Sequence, residues 1–342
     1  MHKLEGLLHM TTLPVSFLWG AATAPHQVEG NNVNSDWWTR ELSTPGMELS
    51  GDALDSYHRY AEDMRLLHNA GLNAYRFGVE WARIEPAPGQ YSLAELAHYR
   101  RMIEEAMRQG LTPVITLQHF STPRWFAEEG GWLTEGSVDR FRAYVEAVAP
   151  ILDGVKWVCT INEPNMLAMI ATLMQAMESG DASSWQSPTT DGVEGGVQPV
   201  LPAPDPEIGR RLARAHVAAR DVLKRTTDAA VGWTVANQAF YAEHAFEERL
   251  REERFVREDL YLEASKDDDF VGVQAYSTQE IGVDGPIPHS PHPENTMIGT
   301  PFRPDAVGIA VRHAWQVTEG TPVLVTENGI ATDDDDVYAR CA

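Results

Sequence analysis

The sequence predicts an α/β protein built on a parallel sheet, and three observations carry that expectation. Short, near-continuously apolar runs recur along the chain, segments of helical period separate them, and the runs turn polar at their ends. Runs apolar on both faces suit strands covered by helices on either side, as in βαβ units, rather than the alternating strands of a sandwich. Repeated right-handed βαβ connections lead to a barrel or to a doubly wound sheet, and the pattern does not choose between the two. No internal linker divides the 342 residues, and α/β barrels run past about 250 residues as single units, so one domain over 1–342 is expected.

Seven strands can be placed in order: 17–23 (FLWGAAT), 73–81 (NAYRFGVEW), 112–120 (TPVITLQHF), 156–162 (KWVCTIN), 229–236 (AAVGWTVA), 270–277 (FVGVQAYS) and 322–328 (PVLVTEN). Helical periodicity fills the gaps at 55–69, 92–109, 138–149, 206–225, 247–264 and 304–318. Gly71 and Gly110 follow two of these segments as C-terminal stops, and Asp55 and Ser92 stand where N-caps belong. Two stretches break the rhythm: 176–205, rich in Gly, Ser, Pro and Thr, and 280–303, with Pro286, Pro288, Pro291, Pro293 and Pro301. Both follow strands and would hang over the strand C-terminal ends, where barrel sites lie, or else decorate the surface. The four aspartates at 333–336 read as a solvated loop or helix start.

Composition removes several function classes. A formal charge of -23 repels nucleic acid and anionic membrane at long range, because phosphate binding needs a basic surface, so neither is expected as a partner. Only Cys159 and Cys341 are present, too few for a disulfide framework, which points to a reducing cytoplasm. Residues 1–9 read as a leader outside the core, without the apolar stretch of a signal peptide, and no later run reaches transmembrane length.

Chemistry-bearing residues collect at the strand ends: Gln27 and Glu29 after the first, Arg76 and Glu80 on the second, His119 on the third, Asn162-Glu163 on the fourth, Tyr276 on the sixth and Glu327-Asn328 on the seventh. An ionised carboxylate at the end of a buried strand costs several kcal/mol unless it is paired or used. A lone glutamate there reads more readily as a structural ion pair, Arg76 as its buried partner, and His119 as a satisfied core histidine. Two carboxylates at one mouth suit acid/base work, and strands four and seven lie across a barrel mouth, as glycoside hydrolysis needs. The aromatics Trp37, Trp38 and Trp185 could stack on sugar faces or fill the rim, and Trp125 taken alone reads as a packing residue. Metal hydrolysis fits poorly, since His119 and the pair His289 and His292 lack the ligand spacing of a zinc site.

These residues stand in motifs: FLWGAATAPHQVEG (17–30), YRFGVEWARIEP (75–86), TLQHFSTPRWF (116–126), GGW (130–132), TINEP (160–164), GVQAYS (272–277) and VTENGIA (325–331). Their order and content resemble glycoside hydrolase family 1, the β-glucosidases and β-galactosidases. The resemblance implies a (β/α)8 TIM barrel and a retaining mechanism with no cofactor and no metal. It implies Glu163 as acid/base and Glu327 as nucleophile, Gln27, His119 and Asn162 as sugar-binding residues, and Arg76 and Tyr276 as the pair holding the nucleophile. A cation and a phenol beside Glu327 would favour its charge, while Glu163, buried near a second carboxylate, would stay protonated.

The family continues past VTENGIA through a helix, an eighth strand and a final helix, whereas this sequence ends at Ala342. The expectation is therefore an incomplete barrel with seven of eight strands, open at its first and seventh, and prone to self-association through that edge. The segment between Pro164 and Asp205 lacks the family's glycine-proline pattern, and Gly78 stands where many relatives carry serine. Two functions compete: a retaining β-glycosidase acting on short β-glucosides or β-galactosides, and a catalytically weak carbohydrate-binding remnant of such an enzyme.

Overall fold

The computed structural model describes residue 14, residues 16–178 and residues 200–332, without the side chains of 175–178. The expectations for residues 1–9, for most of 176–205 including Trp185, for the aspartates at 333–336 and for Cys341 lie outside the described residues. Seven strands form one sheet: β1 (Gly20–Ala22), β2 (Ala74–Gly78), β3 (Thr112–Gln118), β4 (Trp157–Asn162), β5 (Ala230–Ala236), β6 (Val271–Gln274) and β7 (Val323–Glu327). They lie in sequence order, each parallel to its neighbour, and β7 returns beside β1. The sheet is thus a nearly closed barrel and not a doubly wound sheet. Among the described residues no ladder joins β7 to β1, and apolar side chains stand exposed on β7 (Val325) and just before β1 (Trp19).

The helices that cover the barrel include α1 (Ser56–Asn69), α2 (Leu93–Arg108), α3 (Ser137–Val148), α4 (Pro164–Glu178), α5 (Pro206–Thr226), α6 (Glu247–Arg254), α7 (Leu260–Glu263) and α8 (Ala306–Val317). Ser92 caps α2 by accepting the Glu95 N–H at 3.3 Å. Gly71 and Gly110 take φ of +86° and +79°, the left-handed turn that ends α1 and α2 at little cost only for glycine. Asp55 departs from expectation: its side chain makes no cap and instead meets His58 Nδ1 at 2.6 Å. No described helix is long and apolar enough to cross a membrane, and Cys159 is a free, buried thiol.

Side chains alternate along each strand, so a strand's parity decides what faces the axis. On β3, Ile115 and Leu117 join the large core under the helices, whereas Val114 packs inside with Cys159 and Phe270 and Thr116 meets Arg76. Two strands break the alternation. In the β4–β5 ladder Cys159 pairs with Gly232 but Asn162 with Thr234, so β4 carries one extra residue. In the β6–β7 ladder Val325 pairs with Val273 and Glu327 with Gln274, so β7 carries one extra residue, Thr326. Each bulge switches parity: Cys159 and Asn162 both face inward, as do Leu324 and Glu327, although three positions separate each pair.

Beneath the mouth, Trp81, Phe126, Trp132, Phe141 and Tyr144 form an aromatic cluster with ring centroids 4.8 to 6.3 Å apart. The Tyr144 hydroxyl reaches the Val79 and Leu117 carbonyls, both at 2.9 Å, and so ties the ends of β2 and β3 to α3.

Several boundaries differ from the expected ones. β2 stops at Gly78, and Glu80 caps a short helix, Trp81–Ile84, accepting from Ala82 N at 3.1 Å and from the Ser121 hydroxyl at 2.7 Å. β6 stops at Gln274, two residues before Tyr276. Helix α4 has no counterpart in the periodic pattern. The expected helix over 247–264 divides into α6, a π-helical segment (Phe255–Asp259) and α7. Part of 280–303 is a small second sheet in which Glu280–Gly282 pairs with Tyr241–Ala242 and with Gly285–Pro286.

Candidate active site

The strand ends converge on one carboxylate. Arg76, buried on β2, is fixed from below by its Nε–H bond to Thr116 Oγ1 at 2.9 Å. Its two terminal nitrogens then donate to Glu327 Oε1 and to Asn162 Oδ1, each at 2.5 Å. Gln274, at the end of β6, donates through one amide nitrogen to both acceptors, at 2.7 Å to Glu327 Oε1 and 2.9 Å to Asn162 Oδ1. The Tyr276 hydroxyl donates to Glu327 Oε2 at 2.5 Å, so three donors hold the Glu327 carboxylate in one orientation. Hydrogen bonds to a carboxylate are stronger than neutral ones, so these donors fix Glu327 firmly in place. Burial pushes the Tyr276 hydroxyl upward and the Glu327 charge adds to the rise, so it remains a donor.

Asn162 is held in the same way. Its Oδ1 also accepts from Thr234 at 3.1 Å, and three donors on the oxygen leave Nδ2 buried and, among the described residues, without a partner. A buried amide donor that finds no acceptor costs about 1–3 kcal/mol, so the arrangement is suited to an acceptor supplied from outside.

Glu163 follows Asn162 at the point where the chain leaves the barrel. Its φ of 45° is in the left-handed region, which costs a side-chain-bearing residue about 1–3 kcal/mol. The surroundings impose it: the Glu163 N–H donates to the Thr234 carbonyl at 2.8 Å, and Pro164 opens α4 immediately afterwards. Asn165 then pins α4 by donating to the Ala236 and Arg257 carbonyls at 2.8 and 2.7 Å. Among the described residues none hydrogen-bonds to the Glu163 carboxyl group. Burial pushes that group up to about 8, the Glu327 charge adds to the rise, and Arg76 opposes it. Two carboxyl groups at one mouth are thus set apart, Glu327 held by three donors and Glu163 raised by burial so that it stays protonated at neutral pH.

His119 and Gln27 meet at a neighbouring cavity of about 310 Å³, which His26, Trp37, Glu41 and Met47 also line. Burial, then the Arg76 charge, hold the His119 ring well below its ordinary value, so it is neutral, and its buried Nδ1 has no partner among the described residues. The chain turns sharply at Phe120, whose φ is 62°. Asp36 accepts the Thr122 N–H at 2.8 Å and places Trp37 against this cavity.

The structure therefore joins Arg76, Asn162, Tyr276 and Glu327 in one network, couples Glu163 to it through charge, and places Gln27 and His119 at the adjoining cavity. Other strand-end residues serve the framework. Glu29 meets Arg83 Nε at 2.9 Å and the Tyr99 hydroxyl, and burial pushes it up to about 7. Trp125 packs edge-on against Trp81 and Phe126 and donates to the Glu85 carbonyl at 2.8 Å. Gln274 is the site residue that sequence reasoning missed, although a polar residue closing an apolar run is the signal that marks the others.

Residues 9–188 match the model of glycosyl hydrolase family 1. Over 94% of its length the chain is 31% identical to thermostable β-glucosidase B of Thermobispora bispora, covering 74% of that protein. It also aligns with the crystal structure of β-glycosidase BGL167 at a TM-score of 0.80 and 39% identity, covering 96% of this chain and 82% of that one. A β-glycosidase from Pyrococcus horikoshii aligns at a TM-score of 0.77 and 27% identity, with 95% and 78% covered.

Proposed function

Since the chain belongs to glycosyl hydrolase family 1, and so is a glycoside hydrolase, we propose that it is a retaining β-glycosidase of short β-glucosides or β-galactosides, with Glu327 as nucleophile and Glu163 as acid/base. The observation that carries this reading is the unequal treatment of the two carboxyl groups. Glu327 receives donors from Arg76, Gln274 and Tyr276, while Glu163 receives none among the described residues and is raised to about 8.

In the first step a Glu327 oxygen attacks the anomeric carbon as the bond to the leaving group breaks, and the Glu163 proton passes to the departing oxygen. In the second step Glu163, now a carboxylate, takes a proton from water as that water displaces Glu327 from the anomeric carbon. The proton consumed in one step is restored in the other. Gln27, the neutral His119 and the free Nδ2 of Asn162 would hold the sugar hydroxyls; Arg76 and Tyr276 would orient the nucleophile.

The test is to incubate the protein with a 2,4-dinitrophenyl 2-deoxy-2-fluoro-β-glucoside and map the adduct by peptide mass spectrometry. A fluoroglucosyl label on Glu327 is expected, and a label on any other residue overturns the assignment. Glycoside binding with neither adduct nor product would favour the competing reading, a carbohydrate-binding remnant.

A further inference from the structure

Outside the barrel mouth, Glu258, Asp259 and His313 bring one donor atom each to within 4.8 Å of one another. We propose that these three side chains form a binding site for a divalent transition-metal ion, zinc best matching the donor set, between the π-helical segment and α8. One imidazole and two carboxylates are borderline ligands of the kind zinc takes, and three protein donors leave a position for water.

Four features build the site. His313 Nε2 lies 2.6 Å from Asp259 Oδ1 and 4.0 Å from Glu258 Oε2, so one ring nitrogen faces both carboxylates. A cation bound at about 2.0–2.2 Å from each donor would take the place of the proton now between them, with small side-chain rotations. Glu258 is only 2% exposed, and its other oxygen accepts the Gln238 N–H at 2.5 Å, which orients Oε2 toward the site as a supporting hydrogen bond does in metal centres. A cavity of about 250 Å³, lined by Glu258, His313, Phe240 and Gln316 among others, gives an ion and its water a way in.

The backbone adds a further reason. Consecutive residues of an α-helix point about 100° apart, too far to share one small ligand. Here Glu258 and Asp259 close the segment Phe255–Asp259, whose wider i→i+5 turn lets both carboxylates reach the same imidazole. Such turns are rare and concentrate at functional sites.

The charge balance agrees. Two carboxyl groups face one imidazole, so a divalent cation would balance them when both are ionised. Arg254 and Arg312 line the same cavity, but Arg254 donates to the Phe240 carbonyl at 2.6 Å. Among the described residues neither arginine forms an ion pair with Glu258 or Asp259. A divalent cation would neutralise the cluster and clamp α8 to the helix that follows β5.

The test uses the full chain, stripped with chelator and titrated with zinc chloride by calorimetry. One tight equivalent is expected, with the dissociation constant raised at least tenfold in Asp259→Asn and in His313→Gln. The double variant His289→Gln/His292→Gln, which removes two loop histidines outside the cluster, should bind like the parent. Zinc-edge anomalous scattering from crystals of the parent should place the ion between Glu258, Asp259 and His313, whether or not the variants fold. No zinc binding, unchanged affinity in the folded variants, or an anomalous peak elsewhere would each overturn the proposal.

Discussion

Replacing Glu163 with glutamine keeps the shape of the side chain and removes its proton. With the carboxyl group raised to about 8, the protonated form outnumbers the carboxylate by about ten to one at pH 7, and the ratio inverts at pH 9. In the parent, kcat/KM for a β-glucoside should therefore hold through neutral pH and fall about tenfold per pH unit above 8. A general acid is worth about 10²–10⁴ in rate where the leaving group needs a proton, or about 2.7–5.4 kcal/mol of barrier. Glu163→Gln should thus lose that much on an alkyl β-glucoside, keep near-parent glycosylation of the 2,4-dinitrophenyl glucoside, and show no alkaline limb near pH 8. The assay is stopped-flow release of dinitrophenol beside steady-state turnover of the alkyl substrate, each from pH 5 to 10. Equal losses on both substrates, or an alkaline limb that survives the substitution, would refute the role given to Glu163.

Retention should be visible directly: proton NMR of an aryl β-glucoside digest should show the β-anomer first, and an initial α-anomer would remove Glu327 as nucleophile. Glu327→Ala should abolish turnover, with azide restoring it as an α-glycosyl azide; a β-azide would exchange the roles of the two glutamates. Gln274→Ala removes a donor from both Glu327 and Asn162, and at about 1.5–3 kcal/mol for a hydrogen bond to a charged group, kcat/KM should fall about 10- to 150-fold, whereas a change under threefold would show the amide to be dispensable. A buried carboxyl group raised from 4.5 to about 8 destabilises the fold progressively as pH climbs between those values, so Glu163→Gln should melt higher than the parent at pH 9 with little difference at pH 5; a gain confined to acid would contradict the sign.

Much of this is legible in the sequence, for identifiable reasons. Runs such as TPVITLQ and WVCTIN are apolar on both faces because helices and barrel interior cover them, and that coverage shows as composition. Glu163 and Glu327 stand out because a carboxylate is costly where those runs end. Helix α4 escapes notice because PNMLAMIATLMQ is apolar nearly all round and offers no amphipathic period. Glu80 reads as part of a strand because a residue that caps a helix looks, in sequence, like one that ends a strand. Gln274 is hidden within VGVQAY, flanked by apolar residues, and only the fold shows that its face is the one toward Glu327. The choice of a barrel over a doubly wound sheet comes from the resemblance and not from periodicity, since curvature leaves no residue pattern of its own.

The inserted residues in β4 and β7 mean that the position of each glutamate in space depends on counting as well as on chemical identity. A substitution at Thr326 leaves the count intact, and its deletion would leave a regular strand in which the glutamate follows Val325 directly, still opposite Gln274 and still on the inward face with Leu324. The extra residue is slack, so each of these strands should tolerate the loss of one residue better than the gain of one. A single-codon insertion within VCTIN or VLVTE would need a second bulge to keep the inward face at its present register, and would act as a switch of catalytic competence.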